Sequence, residues 1–223
     1  MHIPDGFLDP GVAAAAGAVS AGAVTYGLRR AEATLDDKTV PLLGVTGAFV
    51  FAAQMLNFPV AGGTSGHLLG ATLAAVLLGP WLACLVLAVV ITTQAFVFAD
   101  GGISALGANV LNMGVIGALL VGGLVVLARR ALPDRRDVFL AVVGVGAWLA
   151  VMAGALATSL ELAISGTVPL RTVLPAMLGV HALIGIGEAV VTVAAVAAVL
   201  SSRADLVAAL RGSRLALTTS RGA

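Results

Sequence analysis

Long apolar runs broken by short polar or Gly/Pro clusters divide the chain into seven segments predicted to be helical: residues 11–28, 40–57, 67–79, 81–98, 107–128, 138–163 and 173–200. A span of the hydrocarbon core takes about 20 apolar residues, and fewer where a helix is buried among others. The third run is short. Gly79-Pro80 separates it from the fourth, because proline lacks a donor and clashes with the preceding turn. The pattern predicts an all-α, polytopic membrane helical bundle of about seven transmembrane helices. Residues 1–200 are expected to form one membrane domain that opens with a separate N-terminal segment over 1–10, and 201–223 a tail outside the membrane.

Composition supports this reading. Hydrophobic residues make up 60% and charged residues 10% of the chain, against about 25% charged in soluble domains. Mean hydropathy is +1.09. Of the 12 Lys and Arg residues, only Arg171 falls in one set of loops. The other set holds Arg29, Arg30 and Lys38, then Arg129, Arg130, Arg135 and Arg136, then Arg203, Arg211, Arg214 and Arg221. The positive-inside rule therefore predicts the N-terminus outside and the C-terminus in the cytoplasm. No basic run points to nucleic acid. Cys84, the lone cysteine, reads as a buried, inert thiol.

Chemistry enters at the start of the chain, Met1-His2-Ile3-Pro4-Asp5-Gly6-Phe7-Leu8-Asp9-Pro10. No Lys or Arg precedes Arg29, so the segment lacks the basic opening of a secretory signal and is expected to be kept. The free α-amine, the His2 backbone nitrogen and His2 Nδ1 can grip one metal ion in fused chelate rings. Three nearly coplanar nitrogens suit nickel or copper better than zinc. A histidine after Met1 can equally be idle.

The predicted topology gathers the uncommon polar residues on the N-terminal side: Gln54 and Asn57, the loop 57–66 leading to His67, Gln94, Asp100, Asn109, Asn112, His181 and Glu188. His181 and Glu188, seven apart, share a helix face. Ionisable groups within membranes are costly and mark sites or pathways. Each also has a structural reading: His67 as a helix cap beside Thr64 and Ser65, His181 as a satisfied interior histidine, Glu188 as a hydrogen-bonding acid, and the Gln and Asn residues as interhelical glue.

Three stretches together resemble one family: Met-His-Ile-Pro-Asp-Gly-Phe-Leu at the start, Gly62-Gly63-Thr64-Ser65-Gly66-His67-Leu68-Leu69-Gly70, and His181-Ala182-Leu183-Ile184-Gly185-Ile186-Gly187-Glu188. The family is the CbiM/NikM substrate-binding component of energy-coupling factor transporters for cobalt and nickel. The resemblance implies uptake of Ni2+ or Co2+ as a transported ligand, with no permanently bound cofactor. It implies four nitrogen ligands from the Met1 amine, the His2 backbone and side chain, and His67, with His181 and Glu188 supporting them. Pro4-Asp5 looks more like the nickel members. Implied partners are membrane lipid, a transmembrane coupling subunit, two cytoplasmic ATPases and a small accessory membrane subunit in the cell membrane. The chain itself carries no P-loop and is not expected to be an enzyme. Small-residue stripes at Ala13, Gly17, Ala21 and at Gly44, Ala48, Ala52 would suit close contact with the coupling subunit.

Two rivals were weighed. Gly63-Thr64-Ser65-Gly66 has the form of a rhomboid-like intramembrane serine protease, with Ser65 and His181 as a dyad. No His-x-x-x-Asn pair is present to supply an oxyanion hole. A retinal receptor fails because the only lysine, Lys38, lies in a loop.

Overall fold

The structure is a computed structural model that describes residues 1–60 and 64–211. Gly62-Gly63 and the tail beyond Arg211, with Arg214 and Arg221, lie outside the described residues.

Seven helical segments follow one another: α1 Pro10–Ala31, α2 Thr39–Gln54, α3 Ala71–Leu78, α4 Pro80–Val97, α5 Leu106–Ala131, α6 Arg136–Ile164 and α7 Leu170–Arg203. Five of them (α1, α4, α5, α6 and α7) are long and apolar enough to cross a membrane. α2, with 16 residues, and α3, with 8, are shorter. At 1.5 Å per residue α3 advances only about 12 Å. Every one of its residues is buried, so it is a central post wrapped by the longer helices.

Local chemistry sets the boundaries. Asp9 caps α1 through Gly11 N–H at 2.8 Å, and Pro10 occupies the first turn, where a missing donor costs nothing. Gly79 turns between α3 and α4 with φ +88°, and Pro80 opens α4. The expected break at Gly79-Pro80 is thus the observed one.

Two expectations change. The third helix begins at Ala71, not at residue 67, because 67–70 run into it as non-helical chain and Gly70 adopts φ +73°. The loop before it contains a short antiparallel pair, β1 Phe58–Val60 and β2 Thr64–Gly66, with Pro59 opposite Ser65. Within α5, residues Leu111–Val115 form a π-turn, a feature frequent at functional sites.

The two ends of the bundle differ. At one end the N-terminal segment is roofed by Gly101, Gly102 and Ser104, and Thr167 Oγ1 donates to the Phe7 carbonyl. At the other, Lys38 pairs with Asp205 at 3.3 Å, Arg129 donates to the Arg211 carbonyl at 3.2 Å, and Arg136 donates to Ser201 Oγ at 2.8 Å. The small-residue stripes also diverge. Gly44, Ala48 and Ala52 of α2 are exposed, whereas on α1 Gly17 packs so closely on Gly107 that a Cβ there would strike its backbone.

Candidate metal centre

The first three residues are the most deeply buried stretch outside the helices. Met1 and Ile3 are fully buried and His2 is 3% exposed. Burial of two such apolar side chains contributes about 1.5–3 kcal/mol each, an anchor for a segment that lacks its own secondary structure. Asn109 of α5 adds a two-point clamp. Its Oδ1 accepts from Ile3 N–H at 2.8 Å and its Nδ2 donates to the Ile3 carbonyl at 3.1 Å. Gly102 N–H donates to the same carbonyl at 2.8 Å. Asp5 Oδ1 accepts from Ser104 N–H at 2.7 Å and Oγ at 2.6 Å, and these bonds hold its carboxyl below the usual range. Glycine is required where this roof touches the segment: at φ +97°, a Cβ on Gly101 would come within 3.0 Å of His2 Cδ2.

The terminal amine donates to the Ser65 carbonyl of β2. Ser65 Oγ lies 3.3 Å from both the amine and the His2 amide nitrogen, so the hydroxyl marks the side on which both nitrogens are addressable. Burial pushes the amine down from 8.0 to about 4, against the opposing charge of Asp100. His2 is likewise held below its ordinary value by burial, then by the charge of the amine, with Asp100 and Gln94 opposing.

All three histidines share one pattern. His2 Nε2 lies 3.1 Å from Gln94 Oε1, and in the tautomer that donates there Nδ1 is the lone-pair nitrogen. His67 Nδ1 donates to the Leu68 carbonyl at 2.8 Å, and His181 Nδ1 donates to the Met177 carbonyl at 2.7 Å. The remaining nitrogens, His2 Nδ1, His67 Nε2 and His181 Nε2, are buried without a hydrogen-bond partner. Unsatisfied buried acceptors are costly, and a bound cation satisfies them. The rings of His2 and His67 stack with centroids 4.6 Å apart and planes 30° apart. Metal–imidazole bonds of about 2 Å place each ring centre about 3 Å from the ion, and hence two cis rings about 4.5 Å apart.

Among the described residues, no group of three or more His, Cys, Asp and Glu side chains could hold a metal ion. The buried amine and the adjacent His2 amide add two main-chain nitrogens beside these rings.

Glu188 of α7 accepts from Leu69 N–H at 2.9 Å and Gly70 N–H at 2.7 Å, fixing the chain just after His67. Gln54 of α2 donates to the Leu69 carbonyl at 2.6 Å. These two residues hold the His67 loop from opposite helices. Asn112 leaves the site: its Nδ2 reaches Thr158 Oγ1 at 3.2 Å and Glu161 on α6.

The protease reading gains nothing from this arrangement. Ser65 Oγ is engaged by the amine and the His2 amide, and His181 Nδ1 by its own helix. The contributions that sequence reasoning missed are the Ser65 carbonyl and the roof glycines. The first is a backbone atom and carries no residue signature.

Known proteins align with this chain along nearly its whole length. Residues 2–206 match the family described as the cobalt uptake substrate-specific transmembrane region. A protein of Haloquadratum walsbyi, named as a candidate metal transport protein, is 41% identical over 209 residues, covering 93% of each chain. The fused nickel transport protein NikMN of Rhodobacter capsulatus is 35% identical over 227 residues, covering 95% of this chain and 65% of its own. The cobalt transport protein CbiM of Desulforamulus reducens is 37% identical over 167 residues, 74% of this chain and 64% of its own. A truncated transition metal transporter, known from its crystal structure, superposes with a TM-score of 0.81 at 35% identity over 90% of this chain and 98% of its own. By the extent of the match, which takes in residues 2–206, the chain belongs to the family of cobalt uptake substrate-specific transmembrane regions.

Proposed function

We propose that this protein takes a divalent transition metal ion, nickel or cobalt, across the cytoplasmic membrane as the substrate-binding component of an energy-coupling factor transporter. The ion is held by four nitrogens: the Met1 amine, the His2 amide, His2 Nδ1 and His67 Nε2. The observation that carries this reading is the burial of the terminal amine beside two stacked imidazoles, each with an unpaired nitrogen. Four nitrogens approaching a plane favour nickel among the ions its relatives are named for. Its orientation is N-terminus outside, so that the plugged end meets the external solution and the arginine-rich end faces the cytoplasm. ATP hydrolysis is left to two partner ATPases acting through a coupling subunit, with a small accessory membrane subunit completing the complex.

The test is one residue added before Met1, compared with the same protein tagged after Ala223. The extension converts the amine to an amide and lengthens a segment that has no room. Calorimetric titration with Ni2+ is expected to show tight binding only for the C-terminally tagged protein. Unchanged affinity in the extended protein would overturn the amine as a ligand.

A further inference from the structure

A cleft of about 490 Å³ opens between the N-terminal segment and the turn that follows α4. His2, Asp5, Ser65, Ala99, Asp100 and Gly102 are among the residues that line it, and among the described residues no Lys or Arg does. Two carboxylates therefore face one cleft that no Lys or Arg side chain lines. Asp5 spends Oδ1 on Ser104. Asp100 spends Oδ2 on Asn57 Nδ2 at 2.9 Å, and its Oδ1 lies 3.2 Å from His2 Nδ1.

That last approach is the informative one. In the tautomer whose Nε2–H points to Gln94 Oε1, Nδ1 presents a lone pair. It is 97% buried and has no hydrogen-bond partner, and Asp100 Oδ1 stands beside it without hydrogen-bond geometry. In that tautomer two acceptors stand 3.2 Å apart and repel, and a cation lying against both relieves them. At metal–ligand bonds of about 2 Å, two cis donors are about 3 Å apart, which is the spacing found. Beside it Ala99 has φ +53°, a region uncommon for residues other than glycine, Asn and Asp. Gly101 follows at φ +97° and lies against His2, where a Cβ would not fit.

We infer that Asp100 is a capture ligand: it takes a hydrated divalent cation from the cleft through Oδ1 and passes it to His2 Nδ1, where the four-nitrogen chelate closes. The proposal rests on that chelate. Asp100 then sets how fast the ion arrives, not how tightly it is finally held, because its oxygen is one labile donor beside four nitrogens. The two carboxylates also focus the field at the mouth of the cleft, so arrival should depend on ionic strength.

Stopped-flow mixing of Ni2+ and a chromophoric nickel indicator with the full-length protein in nanodiscs reads both rate constants. Asp100→Asn is expected to slow association at least tenfold at low salt and to change dissociation less than twofold. Asp100→Glu should recover association to within threefold of the starting protein. Added salt should slow the starting protein and leave Asp100→Asn nearly flat. Association of Asp100→Asn at the starting rate overturns the proposal, as does a tenfold faster dissociation with association intact. If Asp100→Asn fails to fold, the salt dependence of the unaltered protein still decides, since a flat profile removes electrostatic capture. The chelate is judged separately by the extension before Met1. An extended protein with full affinity removes the chelate whatever Asp100 does; loss of tight binding with a normal Asp100→Asn association rate removes the capture role alone.

Discussion

The rings of His2 and His67 stack 4.6 Å apart, yet each is fixed by a bond through its other nitrogen: His2 to Gln94, His67 to the Leu68 carbonyl. The pairing therefore arranges two lone pairs. Neither ring reaches this position through its own secondary structure. His2 arrives on an extended segment clamped by Asn109, and His67 on a loop clamped by Glu188 and Gln54. The site is built by what holds the chain.

Removal of His67 tests the fourth donor. His67→Ala should weaken Ni2+ binding at least tenfold, or about 1.4 kcal/mol, measured by calorimetric titration. His181→Ala should do much less, because its unpaired nitrogen lies on α7 without a stacked partner. Equal losses would place His181 among the ligands and require a different geometry.

The clamp at Asn109 gives a second expectation. Asn109→Leu keeps the volume but orphans Ile3 N–H in a buried setting, at a cost of about 1–3 kcal/mol. The N-terminal segment should then open more often, with apparent Ni2+ affinity down about tenfold or more. Reaction of the Met1 amine with an amine-selective reagent should rise in step. Unchanged reactivity would show that the apolar anchors Met1 and Ile3 hold the segment unaided.

The helices were legible in the sequence because apolar runs this long admit few alternatives. The site was legible only in part. His2 and His67 could be named, but their individual chemistry left bland readings open until three motifs were taken together. Gly62-Gly63 beside Pro59 read as loop, and so hid the strand pair that delivers Ser65. Asn109 and Asn112, three apart, would share one face of a regular helix. They serve different partners, Ile3 and α6, because the π-turn that starts at Leu111 changes the helical register between them. Ser65 acts partly through its carbonyl, which no side-chain pattern can announce.

Proton competition supplies a third expectation. The amine, lowered to about 4 by burial, is already unprotonated in the folded protein at pH 7. Between about 4 and 8 the unfolded chain holds that proton more tightly than the folded one, so this group makes the metal-free protein more stable as pH rises through the window. The His2 amide still has to lose its proton to become a strong donor. Ni2+ affinity should therefore keep rising about tenfold per pH unit above 7, whereas a site of histidine side chains alone would level off above about 6.5. Titrations at pH 6, 7 and 8 distinguish the two profiles, and a plateau from pH 7 would argue against the amide.

Orientation can be read directly. Single cysteines placed in 57–66 and in 132–135, with Cys84 replaced, should differ in reactivity toward an impermeant thiol reagent on intact cells. The first set is expected to react and the second to react only after lysis. Labelling of the arginine-rich end in intact cells would reverse the direction of transport.

The last expectation concerns Glu188, whose carboxylate takes both the Leu69 and Gly70 N–H groups. Glu188→Gln retains one acceptor oxygen but turns an amide NH2 toward the second N–H, so one buried donor is orphaned and another is added. The His67 loop loses its hold from α7, and Gln54 alone still restrains it through the Leu69 carbonyl. Stability should fall by about 1–3 kcal/mol, visible as a lower Tm, and Ni2+ affinity should fall about tenfold because His67 Nε2 is no longer aimed. A structural role alone would produce the first effect without the second, and the double variant separates them. Residues in one network give non-additive losses. In a His67→Ala background, Glu188→Gln should still lower Tm but should no longer weaken nickel binding, since the ligand it positions is gone. Additive losses in affinity would mean that Glu188 acts on the metal by some route other than His67.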